Sequence, residues 1–161
     1  MRHQLKQFVV ALTLGAALTT PVQAACWSEA AVSAAKVRDL ETMLMVSSLR
    51  CKAANNALLT QYNRFVRDSR TALTAVNDTL RSQFVNSGGL NAYDRYVTAI
   101  ANRYGAGADG LSCDDMTSIL SAAEAAGGSL AGLTRLANDA GVEPKLAGAR
   151  CSRLSRRQNN I

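Results

Sequence analysis

The sequence predicts an all-α fold, an up-and-down bundle of four to five helices stapled by two disulfides. Three observations favour this class. Apolar residues recur at three- and four-residue spacing along most of the chain, which is the period of amphipathic helices. Nothing alternates with period two for more than a few residues. Alanine is abundant, and its high helix propensity and small side chain favour closely packed helices.

The first predicted helix follows Ser28, a favourable N-cap, and continues to about Lys52. The second is the clearest of the chain, because apolar residues keep helical spacing from Leu58 to Phe84. Asn55-Asn56 offers only a weak turn between the two. A single long kinked helix is therefore an open alternative for this half of the chain.

Paired glycines divide the remaining helices. Gly88-Gly89 ends the second helix, and a third is predicted over 90–104, with apolar side chains on one face. A fourth begins at Asp114 or Asp115, and Gly127-Gly128 interrupts it. A short fifth helix over 130–140 ends at a glycine, a residue suited to helix C-termini.

The N-terminal segment has the three zones of a secretory signal peptide. Arg2, His3 and Lys6 form a basic start, Phe8–Leu18 an apolar run, and cleavage is expected near Ala24. The apolar run is shorter than the roughly 20 residues that a membrane-spanning helix needs, and no later segment is longer. The alternative is a buried N-terminal helix. The prediction is export to the periplasm or beyond, with no transmembrane span.

Lipid attachment is a further alternative, because Cys26 follows two alanines. It would require an aliphatic residue three places before the cysteine, where Gln23 stands, so the context disfavours it. The chain is then divided into a signal peptide at 1–24, one helical domain at 25–150 and a basic C-terminal tail at 151–161.

The positive charge lies at the two ends of the chain. Arg2 and Lys6, together with Arg150, Arg153, Arg156 and Arg157, account for the formal net charge of +6. The body between them is neutral by count, whereas nucleic-acid binders carry basic residues along a face that follows phosphates. We predict no nucleic-acid binding. The four arginines of the tail are candidates for contact with an anion or a partner, although a solvated tail is the simpler interpretation.

Four cysteines in an exported chain favour two disulfides over a metal site. Cys26 and Cys51 cannot pair, because a helix between them would separate them by roughly 35 Å. In an up-and-down bundle, Cys51 and Cys113 lie at one end and Cys26 and Cys151 at the other. The predicted pairs are therefore Cys26–Cys151 and Cys51–Cys113.

Catalytic motifs are weak throughout. The single histidine, His3, is expected to leave with the signal peptide, which removes the usual histidine-dependent nucleophile systems and histidine metal sites. Gly105 to Gly110 match G-x-G-x-x-G, but a helix rather than a strand precedes them, so we interpret them as a loop. We predict no catalytic, cofactor-binding or metal residue.

Carboxylates are the remaining candidates for chemistry. An all-helical enzyme that cleaves glycans with a lone carboxyl acid is conceivable, and its acid would be one of Glu29, Glu41, Glu124 and Glu143. Glu41 is expected on a polar face with Asp39. A hard cation could use oxygen ligands, for which the candidates are Asp109, Asp114 and Asp115, although their spacing is not that of an EF-hand loop.

One stretch carries a resemblance. Residues 26–63, with Ala35-Lys36-Val37-Arg38-Asp39-Leu40, Leu49-Arg50-Cys51 and Gln61-Tyr62-Asn63, resemble a family of small exported, alanine-rich, four-cysteine helical proteins of alphaproteobacteria. The likeness covers about a quarter of the chain. The family has no established activity, so the resemblance implies export and a helical fold and supplies no functional residues.

Three functions remain open. The first is a non-enzymatic structural or interaction module that meets an unknown protein or envelope component through a helical face or the basic tail. The second is a binder of an apolar small molecule or lipid between the helices, suggested by the alanine-lined faces and by Met43 and Met45. The third is the glycan-active enzyme. The oligomeric state stays open.

Overall fold

A computed structural model describes residues 26–107 and 111–151. The predicted signal peptide, its cleavage point, most of the basic tail and Asp109 lie outside these residues. The described residues form six α-helices and no strand, so the all-helical class is confirmed. The helices are α1 (Glu29–Arg50), α2 (Ala57–Asp68), α3 (Arg70–Val85), α4 (Leu90–Gly105), α5 (Cys113–Ala125) and α6 (Leu130–Asp139).

Helix α1 is the central element of the bundle. Ser28 begins it as predicted, since its hydroxyl accepts a hydrogen bond from the backbone N–H of Ala31 at 3.1 Å. The helix contacts each of the other five. Its buried residues accordingly extend around most of its circumference and include small and polar side chains among the apolar ones. A helix buried this widely needs close neighbours, and alanines allow them.

The second predicted helix is divided in two. Helix α2 ends at Asp68 and α3 begins at Arg70, with Ser69 between them at φ −95° and ψ 8°. The hydrogen bonds continue through the break, because the Ser69 N–H donates to the Phe65 carbonyl at 2.9 Å and the Leu73 N–H donates to the Ser69 carbonyl at 3.0 Å. The two helices therefore follow each other directly, with one residue of non-helical geometry between them.

The turn between α5 and α6 packs against this break. A Cβ atom on Gly128 would stand 2.7 Å from the carbonyl oxygen of Asp68 and 3.2 Å from the Cα of Ser69. Backbone therefore packs on backbone at this point, and Gly128 also has a φ of +66°, which favours glycine. Sequence periodicity alone does not reveal a contact of this kind.

Both predicted disulfides are confirmed. Cys26 and Cys151 are joined with their Cα atoms 4.9 Å apart, and Cys51 and Cys113 with theirs 5.7 Å apart. The second disulfide ties a 3₁₀ turn at Cys51–Ala53 to the first residue of α5. The two bridges thus connect the chain ends and the two halves of the bundle. Among the described residues, no helix is long and apolar enough to cross a membrane.

Candidate functional site

The two ends of the described chain meet beside α3 and α4. Trp27 and Arg150 form an isolated parallel β-bridge, in which the Trp27 N–H donates to the Ala149 carbonyl and the Cys151 N–H to the Trp27 carbonyl, both at 2.9 Å. The indole Nε1 of Trp27 donates to the Ala147 carbonyl at 2.7 Å. Together with the Cys26–Cys151 disulfide, these hydrogen bonds hold together the segments around Trp27 and Arg150, which are not helical.

Trp27 anchors an aromatic cluster at this end of the bundle. Its ring lies edge-on to Phe84 with centroids 5.5 Å apart, and tilted to Tyr96 at 6.5 Å. Phe84 also contacts Tyr93 and Tyr96, at 5.7 and 5.3 Å. The cluster gives the adjacent surface an apolar floor.

A cleft of about 460 Å³ opens over this floor, and we call it the terminal cleft. Its walls are the aromatic cluster, α4 and the C-terminal segment, contributing Trp27, Phe84, Ser87, Ala92, Arg95, Tyr96, Ala99, Lys145, Ala147 and Gly148. It shares Tyr96, Ala99 and Lys145 with a smaller cleft of about 220 Å³ that ends at Ile100 and Arg103. Surface clefts of this size are the usual form of ligand sites in proteins.

A second cleft, of about 530 Å³, lies on the other side of Trp27 and has mixed charge. Lys36, Arg150 and the carboxylate of Glu29 are among its lining residues. Glu143 accepts from Lys36 Nζ at 2.9 Å and lies 3.8 Å from Arg150 Nη2. Lys36, and more weakly Arg150, hold the pKa of Glu143 below its ordinary value. Arg150, a predicted anion contact, is therefore already near an anion, and Arg153, Arg156 and Arg157 lie outside the described residues.

Behind the smaller cleft lies a buried carboxylate that sequence reasoning misplaced. Asp39 was expected on a polar face of the first helix, but it is 0 % exposed. Its Oδ1 accepts a hydrogen bond from Tyr104 at 2.5 Å and another from Arg103 Nη2. Asp39 lies four residues after Ala35 and four before Met43, both buried, so helical spacing could have placed it inward.

The surroundings of Asp39 shift the pKa values of its neighbours. Burial, and then the hydrogen bond and charge of Asp39, raise the pKa of Tyr104 well above its ordinary value. Burial alone would lower the pKa of Arg103. The hydrogen bond to Asp39 and the charge of Asp39 outweigh burial, so the pKa of Arg103 is raised. The pKa of Tyr96 is likewise raised, mainly by burial and then by the charge of Asp39. With their pKa values raised, both phenols stay neutral across the physiological range.

A second polar group links α1 to α2, α3 and α4. Arg38 Nη1 donates to Glu41 Oε2 at 2.7 Å, and Tyr62 donates to Glu41 Oε1 at 2.9 Å. Arg38 Nη2 and the Tyr93 hydroxyl both donate to Asn77 Oδ1, at 3.3 and 2.6 Å. Glu41, a candidate acid, is thus held by structural partners in the bundle.

The other candidate acids are dispersed. Glu124 joins α5 to α2 by accepting from Gln61 at 2.9 Å and from Arg64 at 2.7 Å, and these two partners lower its pKa. Glu29 lies at the start of α1, and Glu143 lies beside Lys36. The four glutamates do not converge on one site.

The candidate cation ligands are likewise not assembled. Asp115 forms a capping box with Ser112, accepting from the Ser112 N–H at 2.9 Å and from its hydroxyl at 2.6 Å. The hydroxyl, followed by the backbone N–H, lowers the pKa of Asp115. Asp109 lies outside the described residues, and within the described ranges no three His, Cys, Asp or Glu side chains could hold a metal ion together.

The methionines do not mark a cavity inside the bundle. Met43 is buried in the core at 2 % exposure, and Met45 is half-buried against it. Met43 also lines a cleft of about 260 Å³ with Arg103, Tyr104 and Val142. The sequence does not reveal the terminal cleft, because its walls come from both ends of the described chain. The one signal in the sequence is that Trp27, the single tryptophan, follows a cysteine expected to pair with Cys151.

These features define a class: an all-helical, two-disulfide domain in which the two ends of the described chain, joined by Cys26–Cys151, form one wall of a cationic and aromatic cleft. No protein-family model, curated protein or solved structure matches the chain. The resemblance to small exported helical proteins stays a prediction.

Proposed function

We propose that this chain is an exported, non-enzymatic interaction module that holds its partner in the terminal cleft. The observation that carries the proposal is the Cys26–Cys151 disulfide, which fixes two non-helical segments as a wall of that cleft. Segments fixed before binding lose less conformational entropy when a partner arrives, which favours affinity. A bridge at this position therefore serves recognition as well as stability.

Export is supported by the cysteines and by the N-terminal pattern. All four cysteines are bonded and none is free, which is the usage of an oxidising compartment such as the periplasm or the extracellular space. The three-zone pattern of residues 1–24 supplies a route to that compartment.

A non-enzymatic role is supported by the hydrogen-bonding partners of the candidate carboxylates and by the direction in which these partners shift the pKa values of Glu124 and Glu143. A general acid for glycan cleavage needs a raised pKa, which enzymes obtain by burial without a cation. Glu124 and Glu143 have lowered pKa values because of their hydrogen-bonding partners, Gln61 and Lys36 foremost. Glu41 is paired with Arg38. Each of these groups has a structural partner that disfavours the acid role.

Site-specific photo-crosslinking in the producing cell tests the interaction. A diazirine side chain placed at Ala99, which is exposed and lines the terminal cleft, should give a discrete adduct after irradiation. The matched control is Ala75, an exposed alanine on α3 outside the cleft. Adducts that are absent, or the same at both positions, would contradict the proposal.

Export is tested on the same material. The protein recovered from the cell envelope or medium should begin near Ala25 and show no thiol reactive to alkylation before reduction. Full-length protein in the cytoplasm, with Met1 retained and its cysteines alkylated, would refute this part of the proposal.

A further inference from the structure

The floor of the terminal cleft suits a hydrocarbon chain. Trp27 and Phe84 present aromatic rings, and Ala92, Ala99 and Ala147 leave room above them. Next to the cleft, two large apolar side chains at the turn between α3 and α4 are exposed, Val85 at 59 % and Leu90 at 41 %. An apolar surface with small side chains accepts a flexible apolar ligand without requiring directional hydrogen bonds.

The rim of the terminal cleft is cationic. Arg95 and Lys145 line it, and neither forms a hydrogen bond or an ion pair with the part of the chain that the structure describes. Lys145 also lines the smaller adjoining cleft, where Arg103 is the other cation. No acidic side chain is among the lining residues of either cleft.

The cleft on the opposite side of Trp27 differs from the terminal cleft in its charge balance. There, Glu29 contributes to the wall, and Lys36 and Arg150 both lie near Glu143. The cations of that cleft are already balanced by carboxylates of the protein. Those of the terminal cleft have their charge available to a ligand.

We propose that the terminal cleft binds an amphipathic carboxylate, with its anionic head at Lys145 and its hydrocarbon chain along Trp27 and Phe84. This inference rests on the proposed function, to which it adds the chemical class of the ligand. Arg103 already donates to Asp39, so Lys145 supplies the direct contact with the head and Arg95 reinforces it from the rim.

Titration with dodecanoate, below the concentration at which it forms micelles, tests the ligand class. Trp27 is the single tryptophan, so its fluorescence reports on the clefts that it separates. Dodecanoate should change this emission saturably. Dodecyltrimethylammonium, which has the same chain and the opposite charge, should bind at least about tenfold more weakly, because its head meets cations instead of a partner.

Charge-removing variants locate the head. Lys145→Gln should weaken dodecanoate binding about tenfold, the loss expected for a hydrogen bond to a charged group, and Arg95→Gln should weaken it less. Lys52→Gln, at an exposed lysine of the 3₁₀ turn, is the matched control and should leave affinity unchanged. Arg150→Gln should also leave it unchanged, because Arg150 lines the other cleft. All four positions are exposed, so circular dichroism should show an intact fold.

The outcomes separate the ligand class from the proposed function. Equal binding of both dodecyl amphiphiles, or an effect of Arg150→Gln as large as that of Lys145→Gln, would overturn the carboxylate site. If dodecanoate does not bind while Ala99 still gives its specific crosslink, the ligand class is wrong and the interaction module stands. If dodecanoate binds as predicted but no crosslink forms in the cell, the cleft chemistry is right and the proposed cellular partner is wrong.

Discussion

Asp39 is a carboxylate held inside the bundle by one guanidinium and one phenol. Its second oxygen, Oδ2, has no hydrogen-bond partner among the described residues, and the same holds for the hydroxyl of Tyr96. Taking a charge out of water is costly, and the pairing with Arg103 offsets that cost. The carboxylate joins α1 to α4 through Arg103 and Tyr104.

Replacing only one residue of the Asp39–Arg103 pair should lower the free energy of unfolding more than replacing both. Asp39→Leu leaves Arg103 without its counter-ion, and Arg103→Leu leaves Asp39 without its own, so each is expected to lower the free energy of unfolding by about 3 kcal/mol. Replacing both residues by leucine should recover part of that loss, because no charge is then left unpaired and only the Tyr104 hydroxyl loses its acceptor. Urea denaturation of the single and double variants gives the coupling. If the double variant loses the sum of the two single losses, the pair is not acting as a unit.

At the scale of elements, the break between α2 and α3 is a feature that periodicity does not reveal. Leu58 to Phe84 keep one apolar stripe, so sequence reasoning predicts one helix, and the stripe does persist through α2 and α3. The break at Ser69 lies where the backbone of Gly128, from a turn far along the chain, packs against Asp68 and Ser69. Local pattern encodes which face is buried, whereas this contact is tertiary.

The two glycines of that turn should differ in tolerance. Gly127 and Gly128 both have positive φ, at 63° and 66°, but a Cβ on Gly127 would meet nothing within 4 Å. Gly127→Ala should cost only the left-handed backbone strain, about 1 kcal/mol. Gly128→Ala adds the clash with Asp68 and should cost about 3 kcal/mol. Thermal melts of the pair check this, and equal losses would mean that the close approach to Asp68 does not exist in solution.

The capping box at the start of α5 should make stability depend on acid. The pKa of Asp115 is held below its ordinary value of 3.8 in the folded state, so its contribution is present above pH 3.8 and is lost as pH falls through the lower folded value. Asp115→Asn should therefore lower the urea midpoint at pH 7 more than Asp114→Asn, which removes the same charge from the same helix turn. As pH falls through the lowered pKa of folded Asp115, the difference between Asp115→Asn and wild type should shrink. A difference that does not change with pH would contradict the capping box.

At the scale of the whole molecule, the two disulfides differ in what they hold. Cys26–Cys151 spans 125 residues and Cys51–Cys113 spans 62. Loop entropy alone gives them similar weight, about 5 and about 4 kcal/mol. The first, however, closes non-helical segments against Trp27, and the second ties helical elements that also pack through the core.

Replacing each pair by alanine should separate stability from binding. Both double variants should lower the urea midpoint, with helical circular dichroism retained under native conditions. Only Cys26→Ala/Cys151→Ala should also abolish the dodecanoate-induced change in Trp27 emission, because the wall of the terminal cleft is released. If only the Cys51→Ala/Cys113→Ala variant lost that signal, the claim that Cys26–Cys151 holds the wall of the terminal cleft would be wrong.

The sequence predicts both disulfides and the helices apart from the break between α2 and α3, because periodicity and cysteine spacing are local or topological properties. It does not predict the terminal cleft or the burial of Asp39. The cleft joins residues 27, 84, 96 and 145, whose proximity depends on how the chain ends dock. The charge of Asp39 predicts exposure, whereas its position on α1 faces the core. Its partners Arg103 and Tyr104 lie on another helix, so the sequence does not reveal the pairing.

The central position of α1 sets the order in which the chain can become stable. Synthesis completes this helix at Arg50, yet one of the helices that cover it, α6, begins only at Leu130. Until then, side chains that end up inside the bundle stay in water, and the nascent chain has no finished core to close upon. The cover of α1 is therefore complete only after α6, Leu130–Asp139, has been synthesised.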